Sequence, residues 1–277
     1  MTYSANILAD SFSPSRVRLT TMEVTFPRMV LAEFNTHGML RRNSASSRAI
    51  PVAKMLEQVR VNPFIPERFG VNRPGMQATE WLEGPAAAAA TRAWLDGRDK
   101  AIETAETLLA LRLHKQLVNR VLEPWLWHTV IVTATEWSNF FALRDHPDAQ
   151  PEIQTPARLM RLAMEESVPK PIGYGEWHRP LMPDLEELAT IYKDDDLNRI
   201  SVGRCTRVSY NKHHEGGSPE DDIARYERLA ASGHMSPFEH VATPSLGLDF
   251  VGPFKGWVQL RKMIPNEHDF SLVRTNA

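Results

Sequence analysis

Residues 34–51 read FNTHGMLRRNSASSRAIP. His37, Arg41, Arg42, Asn43, Ser44, Ser46, Ser47 and Arg48 fall close together there, with no acid after Glu33. A solvated helix face would mix Lys with Glu. This set suits an anion instead, because Arg offers a planar fork of donors while Ser hydroxyls and backbone N–H groups complete a shell. The other reading is a Ser-rich loop with solvated arginines, and one short stretch does not separate the two.

A second chemical cluster lies near the other end, where residues 234–240 read HMSPFEH. His234, Glu239 and His240, with His37, are all possible metal ligands, but their spacing matches no standard zinc pattern. The alternative is a proline-broken turn whose histidines hydrogen-bond. No metal site is expected. Cys205 stands alone, which excludes an intramolecular disulfide and a Cys-cluster metal site.

The elements that must position these groups follow from pattern. Residues 17–26, VRLTTMEVTF, alternate and are rich in β-branched side chains, predicting a strand with a bulge near Thr20 and Thr21. Pro27 ends it, and residues 29–40 read as a short helix. Residues 62–84 form a long ordered loop, and 85–111 a long helix that begins in an alanine run. Residues 115–143 are predicted to be a second helical region, kinked at Pro124. Helix resumes over 151–167, and a proline-rich surface connection follows over 168–184.

Residues 200–210 suggest a glycine turn, then a short strand or helix start. Ser218-Pro219-Glu220-Asp221 is a helix start with a hydroxyl cap, proline first and acids in the first turn. Ile223, Tyr226 and Ala230 mark its buried face, and Gly233 its end. Short segments at 245–250 and 257–263 are two strands, or a strand and a helix.

A hydrophobic content of 42% and a charged content of 24% fit a globular protein. The net charge of -2 argues for neither a nucleic-acid nor a membrane partner. No stretch has the length of a membrane span, and the N-terminal residues lack a signal-peptide pattern. A cytoplasmic protein is expected, in the host cytoplasm if phage-encoded.

Taken together, several blocks resemble the flavin-dependent thymidylate synthase family. GRCTRVSY (203–210) and GHMSPFEH (233–240) look like that family's two N-terminal signatures. VTFPRMVLAEFNTH leads into THGMLRRNSASSR, which resembles the Arg-His-Arg motif with His37, Asn43, Ser46 and Arg48 at the family spacing. Asn119-Arg120 with Pro124, and NFFALR (139–144) with Ala149, Gln150 and Glu152, resemble later blocks. The signature blocks follow the others instead of preceding them, which implies a circular permutation of the phage type.

The resemblance implies one α+β domain over 1–277, a twisted sheet with long helices, assembled as a homotetramer. It implies bound FAD, NADPH as reductant, and transfer of a methylene from methylenetetrahydrofolate to carbon 5 of dUMP. It assigns Arg144 to the uracil ring as the catalytic residue, and Ser46, Ser47, Arg48 and Arg120 to the nucleotide, with Arg48 and Arg120 on its phosphate. It assigns His37, Met39, Asn139, Ser209, His234, Ser236 and Glu239 to the flavin. Thr36 and Gly38 stand where the motif has its two arginines, and Ser44 where it usually has glutamate. Thr133 and Thr135 replace polar partners of the flavin. Arg41, Arg42, Arg261, Lys262, Asn266 and Glu267 are candidates for restoring the lost polar groups. The departures also leave open a relative acting on another pyrimidine nucleotide, by methylation or hydroxymethylation, or a binding homologue without turnover.

Overall fold

The computed structural model describes residues 1–212 and 215–272. A five-stranded sheet lies at its centre, in the order β3-β4-β2-β1-β5. β1 (Ser4–Phe12), β2 (Arg18–Pro27), β3 (Arg41–Ser44) and β4 (Trp127–Ala134) pair antiparallel, and β5 (Lys170–Pro171) joins β1 in parallel. Around it run α1 (Leu31–Asn35), α2 (Val52–Val61), α3 (Gly84–Ala110), α4 (Lys115–Val118), α5 (Ser138–Arg144) and α6 (Pro151–Glu166). α7 (Leu185–Leu188), α8 (Asp194–Thr206) and α9 (Pro219–Ala231) follow. β6 (Ala242–Pro244) pairs with β9 (Trp257–Gln259), and β7 (Phe250–Val251) with β8 (Phe254–Lys255). The fold is a mixed α+β one with a central sheet and long helices.

Alternation along β2 and β4 gives the sheet two unlike faces. Met22, Val24 and Phe26 lie with Val130 and Val132 on one face, under Val30, Phe34, Phe140, Ile153 and Met160. Each such side chain contributes roughly 1.5–3 kcal/mol by burial. The opposite face is lined with hydroxyls, and buried polar groups need partners there. Ser11 Oγ meets His178 Nδ1 at 2.9 Å, and His178 Nε2 meets Thr21 Oγ1 at 2.8 Å. Thr21 bonds Thr133 at 2.7 Å, and Thr133 bonds His240 Nδ1 at 2.8 Å. This run of hydrogen bonds ties residues far down the chain to the sheet.

Several expectations change. Residues 115–143 are not one helical region: β4 runs through them, between α4 with a 3-10 turn (Asn119–Trp125) and α5. β4 is buried along almost its whole length, with both its apolar and its hydroxyl face covered, and its β-branched residues decide for strand. The helix expected over 29–40 is a 3-10 turn (Arg28–Val30) and α1, ending at Asn35, and Arg41–Ser44 of the supposed loop is an edge strand. The bulge belongs to β1, where the register slips between Ile7 and Ala9 opposite Met22 and Thr21. Residues 200–210 are helical, and within the 168–184 connection His178 is buried.

The start of α9 is as expected, with the Ser218 side chain accepting from the Asp221 N–H at 3.1 Å. Gly233 follows the helix at φ +71°. Ile223, Tyr226 and Ala230 are partly covered, whereas Asp222 on the same helix is wholly buried. The Arg207 fork grips it at 2.9 and 2.6 Å, and Arg225 adds a bond at 2.7 Å. α8 passes so close that a Cβ on Gly203 would stand 2.4 Å from the Asp222 carbonyl oxygen.

Candidate active site

Two cavities flank the segment from Thr36 to Ser47. The first, of about 450 Å³, lies between the turn after α1 and α5. His37, Met39, Asn139, Leu143 and Arg144 are among its lining residues. Arg144 Nε donates to His37 Nε2 at 2.9 Å, and its Nη2 to Thr36 Oγ1 at 3.3 Å. A guanidinium can only donate, so Nε2 is the acceptor and the neutral ring carries its proton on Nδ1. Burial, then the Arg144 and Arg42 guanidiniums, hold the His37 pKa below its ordinary value, against a hydrogen bond with Asn139 that raises it. His37 is therefore neutral at pH 7, with Phe140 packed edge-on at 5.0 Å.

The second cavity, of about 310 Å³, opens beside β3. Ser44, Ser46, Ser47, Arg42, Arg120 and Ser236 share it with Arg28. Its wall is fixed from several directions. Asn119 Nδ2 donates to the Ser47 and Ile50 carbonyls at 2.7 and 3.0 Å. The Ser46 N–H donates to the Ser209 carbonyl at 3.0 Å, and Asn43 Nδ2 to the Cys205 carbonyl at 2.9 Å. The 3-10 turn Ser236–Glu239 packs against β3. The Glu239 carboxylate meets Arg261 at 2.8 Å and Arg41 at 3.6 Å. Arg42 lies between the cavities, its Nη1 donating to the His37 carbonyl at 2.9 Å.

The named site residues therefore divide. His37, Met39, Asn139 and Arg144 surround the first cavity, and Ser46, Ser47, Arg120 and Ser236 the second. Ser209 and Glu239 touch the second through Ser46 and β3. Arg48 is exposed and lines neither cavity. His234 is also exposed and bonds Ser232 at 2.9 Å, while His240 is buried and bonds Thr133 through Nδ1. No group of potential metal ligands exists among the described residues. Arg261 reaches Glu239 and Glu267, and Lys262 reaches Glu267. Arg28 escaped the sequence reading: a single Arg after a strand-ending proline carries no signal. A circular permutation would also bring Met1 near Ala277, and Ala277 lies outside the described residues.

The one thiol is buried, and burial pushes the Cys205 pKa up, so it is no nucleophile. No described helix is long and apolar enough to cross a membrane. Fold and site define an α+β protein with an arginine- and serine-lined cavity, suited to anions, at the edge of its sheet. Residues 9–170 match the family described as thymidylate synthase complementing protein, and the chain belongs to it. No match to a curated protein was found. Similar solved structures include the UMP/dUMP methylase PolB from Streptomyces cacaoi, bound with 5-Br dUMP and, separately, with 5-Br UMP. Both are 15% identical with a TM-score of 0.49, covering 60% of this chain and 90% and 89% of theirs.

Proposed function

We propose that the protein is a flavin-dependent thymidylate synthase, converting dUMP to dTMP with methylenetetrahydrofolate as carbon donor and NADPH as reductant. The observation that carries this reading is the adjacency of the two cavities in a chain of this family. One is suited to a nucleotide phosphate, and the other holds a neutral histidine clamped to an arginine.

The residues present fit a flavin. Met39, Phe140 and Leu143 offer apolar contact to a flat ring, and His37 and Asn139 offer polar groups to its edge. FAD, when bound, supplies the redox chemistry. The chain's own residues bind, orient and polarise. Arg144 is charged at every relevant pH, and His37 and Thr36 fix its orientation. It stabilises negative charge that grows on the uracil as carbon 5 becomes nucleophilic. Ser46, Ser47 and Arg120 hold the nucleotide. The buried Cys205 agrees with a route that needs no enzyme thiolate.

The chain acts as a cytoplasmic homotetramer of single-domain subunits, and exposed Arg48 serves a neighbouring subunit's nucleotide site. The family match ends at residue 170, before the two signature blocks. Those blocks nevertheless meet the Ser46 loop through Ser209 and Ser236, which supports a circular permutation. Thr36 and Gly38, in place of arginines, favour a second reading, a C5-methylase of another pyrimidine nucleotide. Incubation with reduced flavin, methylenetetrahydrofolate and dUMP, UMP or dCMP, followed by product mass analysis, tests both. A 14-dalton gain on dUMP alone supports the synthase, a gain on another nucleotide the second reading, and no gain on any refutes both.

A further inference from the structure

We propose that Arg28 is a substrate-phosphate residue, making with Arg42 and Arg120 a three-guanidinium grip in the cavity beside β3. The inference rests on the nucleotide reading above and adds a residue to which the family motifs give no role. Arg28 follows the end of β2, in the first 3-10 turn, and lines the cavity beside β3. Nη1 donates to His128 Nδ1 at 2.9 Å, and Nη2 meets the Glu123 carboxylate at 3.0 Å. His128 is an acceptor here because burial and the adjacent guanidinium keep it neutral. Two edges of the fork are thus anchored, while the buried Nε has no partner among the described residues. A guanidinium has five N–H donors in fixed directions, so donor capacity remains for a ligand.

The charge balance points the same way. Glu123 also meets Arg120 at 2.8 Å, and Arg42 has carbonyl partners, His37 and Phe34. Three guanidiniums line the cavity against two carboxylates, Glu123 shared by Arg28 and Arg120 and Glu239 acting on Arg42, so positive charge is in excess around it. A phosphate monoester, nearly a dianion at neutral pH, matches that surplus, and Ser44, Ser46 and Ser47 supply further donors. The position suits Arg rather than Lys: a lysine could reach Glu123 or His128, but not both while offering a further donor at fixed direction.

The test is calorimetric titration of intact protein carrying Arg28→Ala or Arg28→Lys, using dUMP, deoxyuridine and FAD. Charge-assisted bonds of this kind predict a Kd for dUMP raised roughly ten- to a hundred-fold in Arg28→Ala. Arg28→Lys should lose roughly three- to ten-fold, since it keeps the charge but not the fork. Affinity for deoxyuridine, which has no phosphate, and for FAD should stay within about two-fold of wild type. Unchanged dUMP affinity in a folded variant overturns the proposal. So does an equal loss for deoxyuridine, which would mean a general disturbance, or a loss confined to FAD, which would give the grip to the cofactor. If Arg28→Ala does not fold, Arg28→Lys decides by the same criteria. Wild-type protein that binds no pyrimidine nucleotide would overturn the functional reading itself. Inorganic phosphate titrated into wild type and Arg28→Lys would then decide whether Arg28 serves an anion site, unchanged affinity counting against it.

Discussion

Replacing Arg144 by alanine separates chemistry from architecture. The side chain is committed to the first cavity: Nε is held by His37 and Nη2 by Thr36. It is not spent on the neighbouring acid, because Arg158 and Arg161 take the Asp145 carboxylate at 3.2 and 2.6 Å. A surface pair with Asp145 would have been worth only about 0–1 kcal/mol. A preorganised donor aimed at developing charge is worth on the order of 100- to 1000-fold in rate, or about 2.7–4 kcal/mol of barrier. Single-turnover methyl transfer, measured by rapid quench, should fall by that factor while dUMP binds within a few-fold, because the lost interaction strengthens toward the transition state. The same variant removes one of the charges that depress His37, so the imidazole pKa should rise toward its ordinary value by NMR titration. Arg144→Lys should recover little of the rate, lacking the Nε–H that His37 accepts. A turnover rate within about three-fold of wild type would refute the reasoning.

Further outcomes follow from the same geometry. A Cβ on Gly38 meets nothing within 4 Å and Gly38 lines the first cavity, so Gly38→Arg should fold with an unchanged melting temperature and tighten FAD binding; a large drop in Tm would contradict the open space. His128, His178 and His240 have pKa values pushed down to about 3, chiefly by burial. The unfolded chain takes up protons near 6.5 and the native one does not, so stability falls as pH drops from about 6.5 toward 3, by up to ~1.4 kcal/mol per unit for each histidine. Urea midpoints that stay level from pH 7 to 5 would count against this. Asp222→Ala strands Arg207 and Arg225 and should cost about 3–5 kcal/mol by chemical denaturation; a loss below about 1 kcal/mol would show the network to be dispensable. Gly203→Ala forces α8 from α9 and should cost roughly 1–3 kcal/mol in the same assay, an unchanged midpoint arguing against close packing.

The sequence by itself determined the parts governed by local chemistry. The alternation in VRLTTMEVTF specified β2, the Ser-Pro-Glu-Asp cap specified the start of α9, and an acid-free run of Arg and Ser marked the wall of a cavity. The blocks around His37, Arg120 and Arg144 also carried the family resemblance. The tertiary structure alone decided the rest. β4 could not be told from helix, because the apolar run at its centre, Val130-Ile131-Val132, is too short for periodicity to separate a buried strand from a buried helix, and helical segments flank it on both sides. Arg41–Ser44 became a strand only because β4 offered an edge to pair with. Arg28 and Arg48 make the same point in opposite directions. Sequence favoured Arg48, which is exposed, and passed over Arg28, which β2 and its 3-10 turn carry into the cavity. Where a guanidinium ends up depends on backbone direction and on the acceptors around it, here His128 and Glu123, from a segment some hundred residues away.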